Sequence, residues 1–521
     1  MPNYRVFSSA LALVATAALP ACAGHGATPA LGVPGQATAG VAKVRRHEPP
    51  HPPRKTHTVT AGDRGRAIAA GWRQIAAPAP FGSAGADTPL LMTDGTVMIH
   101  VASSPGWFSL APDSQGNYVR GKWTQAASMS SSYGPLYFSS AVLPDGKLIV
   151  NGGEYNFGSQ VETTLGAIYD PPKNAWTNVS PPSGWSTIGD ATSAVLANGT
   201  YMLADCCSAS EALFNESTMT WTATGTGKAD ANSEEGWTLL PSGDLLTADV
   251  FNAPNSERYH PSSGAWSSAG SLPANLTQGD EMGPQVLRSD GSVFVAGANS
   301  NTAFYNVATG AWSAGPQFPS VASGQLDIAD GPATLIPNGS VLMAASPGVY
   351  NTPAYFLKLN GAKFKTIGGP PNAPNDSSYN VRLLLLPTGQ VLETDGSNDV
   401  EIYSPRTPPL GGLAPTIASV PTTIARGNTY TLKGVHLSGY SQGNAYGDDA
   451  QMATNYPLVR ITTSTGRVIY ARTHGFSSMA VASPSTVSTK FDVPSSAVTG
   501  AATLVVIANG IASSPVSVTI Q

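Results

Sequence analysis

At 521 residues the chain has room for several domains, or for one large domain with a smaller companion. Only 11% of its residues are charged, against roughly 25% in typical soluble domains, and its 55 Gly and 43 Pro point to a many-turned β protein. A net charge of −5 with no basic stripe in the body of the chain excludes nucleic acid as an expected partner.

The N-terminus reads as an export signal. Arg5 supplies a positive region, and Val6 to Leu19 form an apolar stretch too short to span a bilayer. Leu19-Pro20-Ala21-Cys22 follows, with the pattern of a bacterial lipobox and Cys22 as the lipidation site. Ala21-Cys22-Ala23 would also serve ordinary signal peptidase, so an anchored lipoprotein at the cell envelope and a secreted protein both stand. Membrane contact is expected only through that lipid anchor. Residues 23–70 are rich in Ala, Pro and Gly and read as a disordered tether.

From Asp94 onward one phrase recurs seven times: an apolar run, a two-residue turn ending in Gly, and a second apolar run. The turns are Asp94-Gly95, Asp145-Gly146, Asn198-Gly199, Ser242-Gly243, Asp290-Gly291, Asn338-Gly339 and Thr388-Gly389. Their spacings of 51, 53, 44, 48, 48 and 50 residues predict an all-β, seven-bladed kelch-type β-propeller over residues 71–411. Trp123, Trp176, Trp221, Trp266 and Trp312 close successive units, and Phe364 takes that place in the sixth. Four of these Trp follow an aromatic at a turn, among them Tyr169-Asp170-Pro171 and Tyr259-His260-Pro261. The seventh unit has Tyr403 but no Trp after it, so Trp72 from the N-terminus is expected to complete it and remove an open edge.

Residues 412–521 follow a Pro/Gly-rich linker. Short alternating runs at Thr429 to Lys433, Val459 to Thr462, Val487 to Val493, Thr503 to Ala508 and Val516 to Ile520 predict an immunoglobulin-like β-sandwich.

Registering the repeat selects candidate site residues. Eight positions before each hairpin turn stand Ala86, Tyr137, Asp190, Glu234, Met282, Asp330 and Asn380, near the start of each innermost strand. Asp87, Tyr133, Glu235, Asp280, Glu281, Asp327 and Tyr379 flank them. Carboxylates and tyrosines gathered about one axis suit a cation, a sugar or a basic group. Asp190, Glu234, Glu281, Asp330 and Asn380 are therefore candidate ligand-binding residues. Cys206-Cys207 falls on the same face and reads as reduced or locally bridged, since neighbouring cysteines can close only an eight-membered ring.

These features resemble the galactose oxidase and glyoxal oxidase family of copper-radical enzymes, and more narrowly an uncharacterised bacterial kelch-repeat branch with phrases such as Tyr446-Gly447-Asp448-Asp449 and Thr454-Asn455-Tyr456-Pro457. The resemblance implies a radical tyrosine at Tyr137, an aromatic stacked over it at Tyr155, an axial tyrosine at Tyr379 and a C-terminal histidine ligand at His474. It also implies a second histidine where Asn380 stands and a cross-linking cysteine where Thr88 stands. Tyr155 joins the candidate ligand-binding residues by this family resemblance alone. An Asn amide is a poor copper ligand, so copper is disfavoured as cofactor, while oxygen-rich ligation leaves a divalent cation possible.

Two functions compete on these grounds, beside a purely structural role in the envelope. One is a non-catalytic, monomeric binding or interaction protein of the cell envelope, holding a carbohydrate or another envelope ligand. The other is an oxidoreductase or another metal-dependent enzyme using Tyr137, Tyr379 and His474 as catalytic or metal-binding groups. Whether the chain is an enzyme stays open at this point.

Overall fold

The computed structural model describes residues 71–521, so the export segment, Cys22 and the tether lie outside the described residues. Their regular secondary structure is β-strand, apart from four single-turn 3-10 helices. Six four-stranded antiparallel sheets and one five-stranded sheet follow one another along residues 72–403, the fifth strand being borrowed from farther along the chain.

Each sheet grows from one of the predicted hairpins. In the first, Ala86–Leu91 turns back into Val97–Val101. The Gly95 amide donates to Met92 O at 3.0 Å, the Thr96 amide donates to Asp94 Oδ1 at 3.0 Å, and Gly95 sits at φ +77°. Glycine closes all seven hairpins at positive φ, where other residues are strained. This is a type I turn followed by a left-handed glycine, which makes the connection one step longer than a bare two-residue hairpin.

The outer strands carry the aromatic code. Tyr169 pairs directly with Trp176, Phe214 with Trp221, Tyr259 with Trp266 and Tyr305 with Trp312. Trp72–Gln74 pairs with Glu401–Tyr403, setting Trp72 opposite Tyr403 in the same relation. The N-terminal strand thus completes the last sheet, as its spare tryptophan predicts.

First strands of neighbouring sheets pack side by side: Ala86–Leu91 on Ser139–Val142 and that strand on Ser193–Val195, then Thr238–Leu239 on Gln285–Leu287, on through Ala333–Leu335 to Arg382–Leu385, which packs back on Ala86–Leu91. The result is a β-propeller arrangement with the first strands around a common axis.

Eight strands between Thr416 and Ile520 join in one hydrogen-bonded path, with Ile511–Ala512 paired to Gly500–Ala508 beside it, around a separate core that includes Leu432, Val459, Ile461, Phe491, Leu504 and Val506. All five C-terminal strands expected from the sequence are present, and Val468–His474 adds one that the alternation did not single out. This C-terminal body sits on the hairpin-turn face of the ring. Its Thr473, Phe476 and Met479 amides donate to Thr93 O, Pro144 O and Ala197 O.

One segment of that body, residues 438–456, enters the axis. Asn444–Ala445 pairs antiparallel with Ala333 and Thr334, forming the fifth strand of the sixth sheet. Asn444 Oδ1 accepts the Leu385 amide at 2.9 Å, its Nδ2 donates to Met452 O at 2.8 Å, and Gln442 Oε1 accepts the Leu239 amide at 2.8 Å. Amides of two sheets therefore find partners on one inserted loop.

Candidate functional site

The end of the axis away from the hairpin turns is built from the register eight residues before each turn. Tyr137, Glu234 and Asp330 all have left-handed backbones there, with φ of +54°, +61° and +49°. Asp190 and Ala86 each follow a positive-φ glycine, Gly189 and Gly85. Such conformations cost about 1–3 kcal/mol each in non-glycine residues and persist where surrounding structure enforces them. Here they bend the chain as it enters each innermost strand.

Five carboxyls converge. Asp190, Glu234 and Asp448 have ligand oxygens within 4.8 Å of one another, and so do Glu234, Glu281 and Asp330. Glu234 belongs to both triads, and all five residues are buried. Asp448 arrives on the inserted segment, where its Oδ2 accepts the Glu234 amide at 3.2 Å. Gly447 makes this approach possible, because a Cβ there would lie 1.6 Å from Asp330 Oδ1. Burial pushes the Asp448 carboxyl well above the usual range, reinforced by Glu234, Asp190, Asp330 and Asp449. Burial likewise pushes Asp449 up to about 8, although Arg382 pulls in the opposite direction.

Beside the acids lies an aromatic group. Tyr137, Tyr155 and Tyr379 share one buried cluster, with Tyr350 packed against it. The Tyr155 ring meets Tyr137 edge-on, centroids 6.0 Å apart at 72°, which corrects the stacked arrangement implied by the resemblance. Tyr350 connects the two halves: its ring contacts Tyr379 at 5.1 Å and its hydroxyl donates to Glu281. Arg382, fully buried, lies over Tyr446 at 3.9 Å and near Tyr137 at 5.8 Å, and donates to Tyr379 O.

Two expected members are placed elsewhere. His474 lies at the end of Val468–His474, with Nε2 3.1 Å from Asp492 Oδ1. Its neighbours Arg472 and Thr473 bond Asp145 O and Thr93 O, so it stands at the hairpin-turn face and not with Tyr137 and Tyr379. Asn380 is engaged locally, its side-chain oxygen accepting the Ser377 amide at 3.4 Å in a capping box. The flanking Glu235 turns away from the axis to Lys228, 2.9 Å distant, which also binds Asp230 and Glu257.

Arg382, Tyr350, Asp448 and Asp449 lie outside the repeat register. Three of these positions left a trace: Arg382 is a lone charge in the apolar run Val381 to Leu386, and Asp448-Asp449 is a doublet in an acid-poor chain. Tyr350 left none.

The donor set is rich in oxygen. Carboxylates suit Ca²⁺, Mg²⁺ or Mn²⁺, whereas copper of the radical-oxidase type needs imidazoles, and among the described residues neither triad contains one.

No protein family and no curated protein matches the chain by sequence. Among solved structures it is similar to a fungal alcohol oxidase of the AA5 family in complex with copper, at 13% identity and a TM-score of 0.49, over 87% of this chain and 99% of that one. It is also similar to a virginiamycin B lyase from Staphylococcus aureus, at 8% identity and a TM-score of 0.47, over 64% of this chain and 99% of that one. A third similarity is to the extracellular domain of a hybrid two-component system from B. thetaiotaomicron, at 11% identity and a TM-score of 0.46, over 87% of this chain and 59% of that one.

Proposed function

We propose that this chain is an exported binding protein of the cell envelope: a seven-bladed kelch-type propeller with an immunoglobulin-like C-terminal body on a galactose oxidase-like plan, without copper-radical chemistry. Its ligand is a carbohydrate or another envelope component, held through a basic group or a divalent cation at the axial carboxyls. The observation that carries this reading is the composition of the axis. Five buried carboxyls and one guanidinium gather there, while His474 stands at the opposite face. Asn380 replaces the other expected imidazole, and Thr88 stands where the resemblance implies a cross-linking cysteine. Export, with or without lipid at Cys22, rests on the N-terminal sequence.

The test combines metal analysis of the purified mature protein, a peroxide assay over alcohols, aldehydes and amines, and a glycan-binding screen. Glycan or cation binding without turnover, lost in Glu234→Ala and Asp330→Ala, is the expected result. Stoichiometric copper with peroxide release would instead establish the oxidase alternative, which the meeting of Tyr137, Tyr155 and Tyr379 favours.

A further inference from the structure

Cys206 and Cys207 are joined as a disulfide. A bridge between neighbours ties no distant parts of the chain together, so it restricts the unfolded state little and does not staple the fold. Its surroundings give it a different significance. Cys206 is fully buried, and its amide donates to Ile188 O at 3.0 Å. Its sulfur lies so close to Gly189 that a Cβ there would stand 2.5 Å from it. The next residue is Asp190 of the first carboxylate triad.

On its other side the same turn reaches the segment that carries Glu234. Ser208 O accepts both the amide and Nδ2 of Asn232 at 3.0 Å, and Ser210 O accepts that Nδ2 at 3.3 Å. Asp205 holds the turn in shape, its carboxylate accepting from Thr187 Oγ1, the Cys207 amide and Ser208 Oγ. Residues 205–210 therefore strap together the two stretches that deliver Asp190 and Glu234 to the axis. Cys207 is half-buried, whereas Cys206 is fully buried. Glu162 Oε2 lies 3.5 Å from Cys206 Sγ, so a thiol formed there has an acceptor waiting.

We propose that Cys206–Cys207 is a thiol-operated clasp that sets how Asp190 and Glu234 are presented at the axis. The thiolate of a small external dithiol attacks Cys207 Sγ; the bond between the two cysteine sulfurs breaks, and Cys206 leaves as a thiolate and takes up a proton. The second thiol of the reagent then displaces Cys207. The reagent ends as a cyclic disulfide and the protein as two thiols, two electrons and two protons having passed to the protein. The clasp acts whatever ligand the axis holds, so its failure and the failure of the binding reading are separate results.

The experiment compares the full chain oxidised in air and reduced with dithiothreitol, using peptide-level alkylation and hydrogen exchange. The oxidised chain is expected to take no iodoacetamide at residues 206 and 207, and the reduced chain to be labelled first at Cys207. Reduction should raise amide exchange at residues 188–190 and 232–234 at least tenfold while the outer strands of the same sheets stay unchanged. The Cys206→Ser, Cys207→Ser double variant should exchange like the reduced chain. Labelling at both cysteines without reductant would overturn the proposal. So would exchange that is unchanged on reduction, or that rises throughout the molecule.

Discussion

Glu234 stands in both carboxylate triads, so it lies within 4.8 Å of each of their other four acids. Buried carboxyls that close cannot all ionise, and protons must remain among them unless a cation enters. Asp448 and Asp449 are both raised in the folded state, so the fold holds protons there that the unfolded chain has released. Stability from this source is fully present below the ordinary carboxyl value near 3.8 and is lost as pH rises toward the folded value, about 8 for Asp449. We therefore expect thermal stability to fall between pH 4 and pH 8. Asp448→Asn should flatten that fall, because it removes a carboxyl that burial and its acidic neighbours keep protonated in the fold. Melting curves of both proteins across that range check it; parallel pH dependences would refute it. Millimolar Ca²⁺ or Mn²⁺ should also flatten the wild-type curve at pH 8, because a bound cation replaces the protons. An unchanged curve would count against cation binding.

At the level of elements, the inserted segment depends on Asn444. Its side chain pairs with the buried Leu385 amide and with Met452 O. Asn444→Ala leaves both without a partner, and each orphan costs about 1–3 kcal/mol. We expect a loss on the order of 2–4 kcal/mol by denaturant unfolding, together with faster hydrogen exchange over residues 444–452. The hairpins are legible in the sequence because an Asx side chain and a left-handed glycine leave a local signature that needs no tertiary partner. Their spacing then locates Tyr137, Asp190, Glu234, Glu281 and Asp330 correctly at one end of the axis. The inserted segment leaves no such signature. Its only strand is two residues long, and its position is dictated by amides of sheets far away in the chain. The place of His474 is hidden for the same reason: a Thr-His step carries no information about which face of the ring its strand covers.

Across the whole molecule, the ring is closed by residues from its two ends. Trp72 is fully buried, packs on Phe356 and Tyr403, and donates from Nε1 to Gly368 O across 296 residues of sequence. Trp72→Ala should cost about 3–5 kcal/mol, as large-to-small core changes do. It should also open the last sheet first, seen as early exchange of the amides of residues 401–403. A variant whose loss is below about 1 kcal/mol would show that the closing strand is dispensable. The same closure has a consequence for synthesis. Trp72–Gln74 leaves the ribosome long before Glu401–Tyr403 exists, and the segment that fills the axis comes later still. A nascent chain that stops short of Glu401 therefore carries unpaired strand edges and an unfilled axis, both prone to association with other chains. Until residues 401–403 and 444–445 have been made, the ring lacks both its closing pairing and the segment that fills its centre.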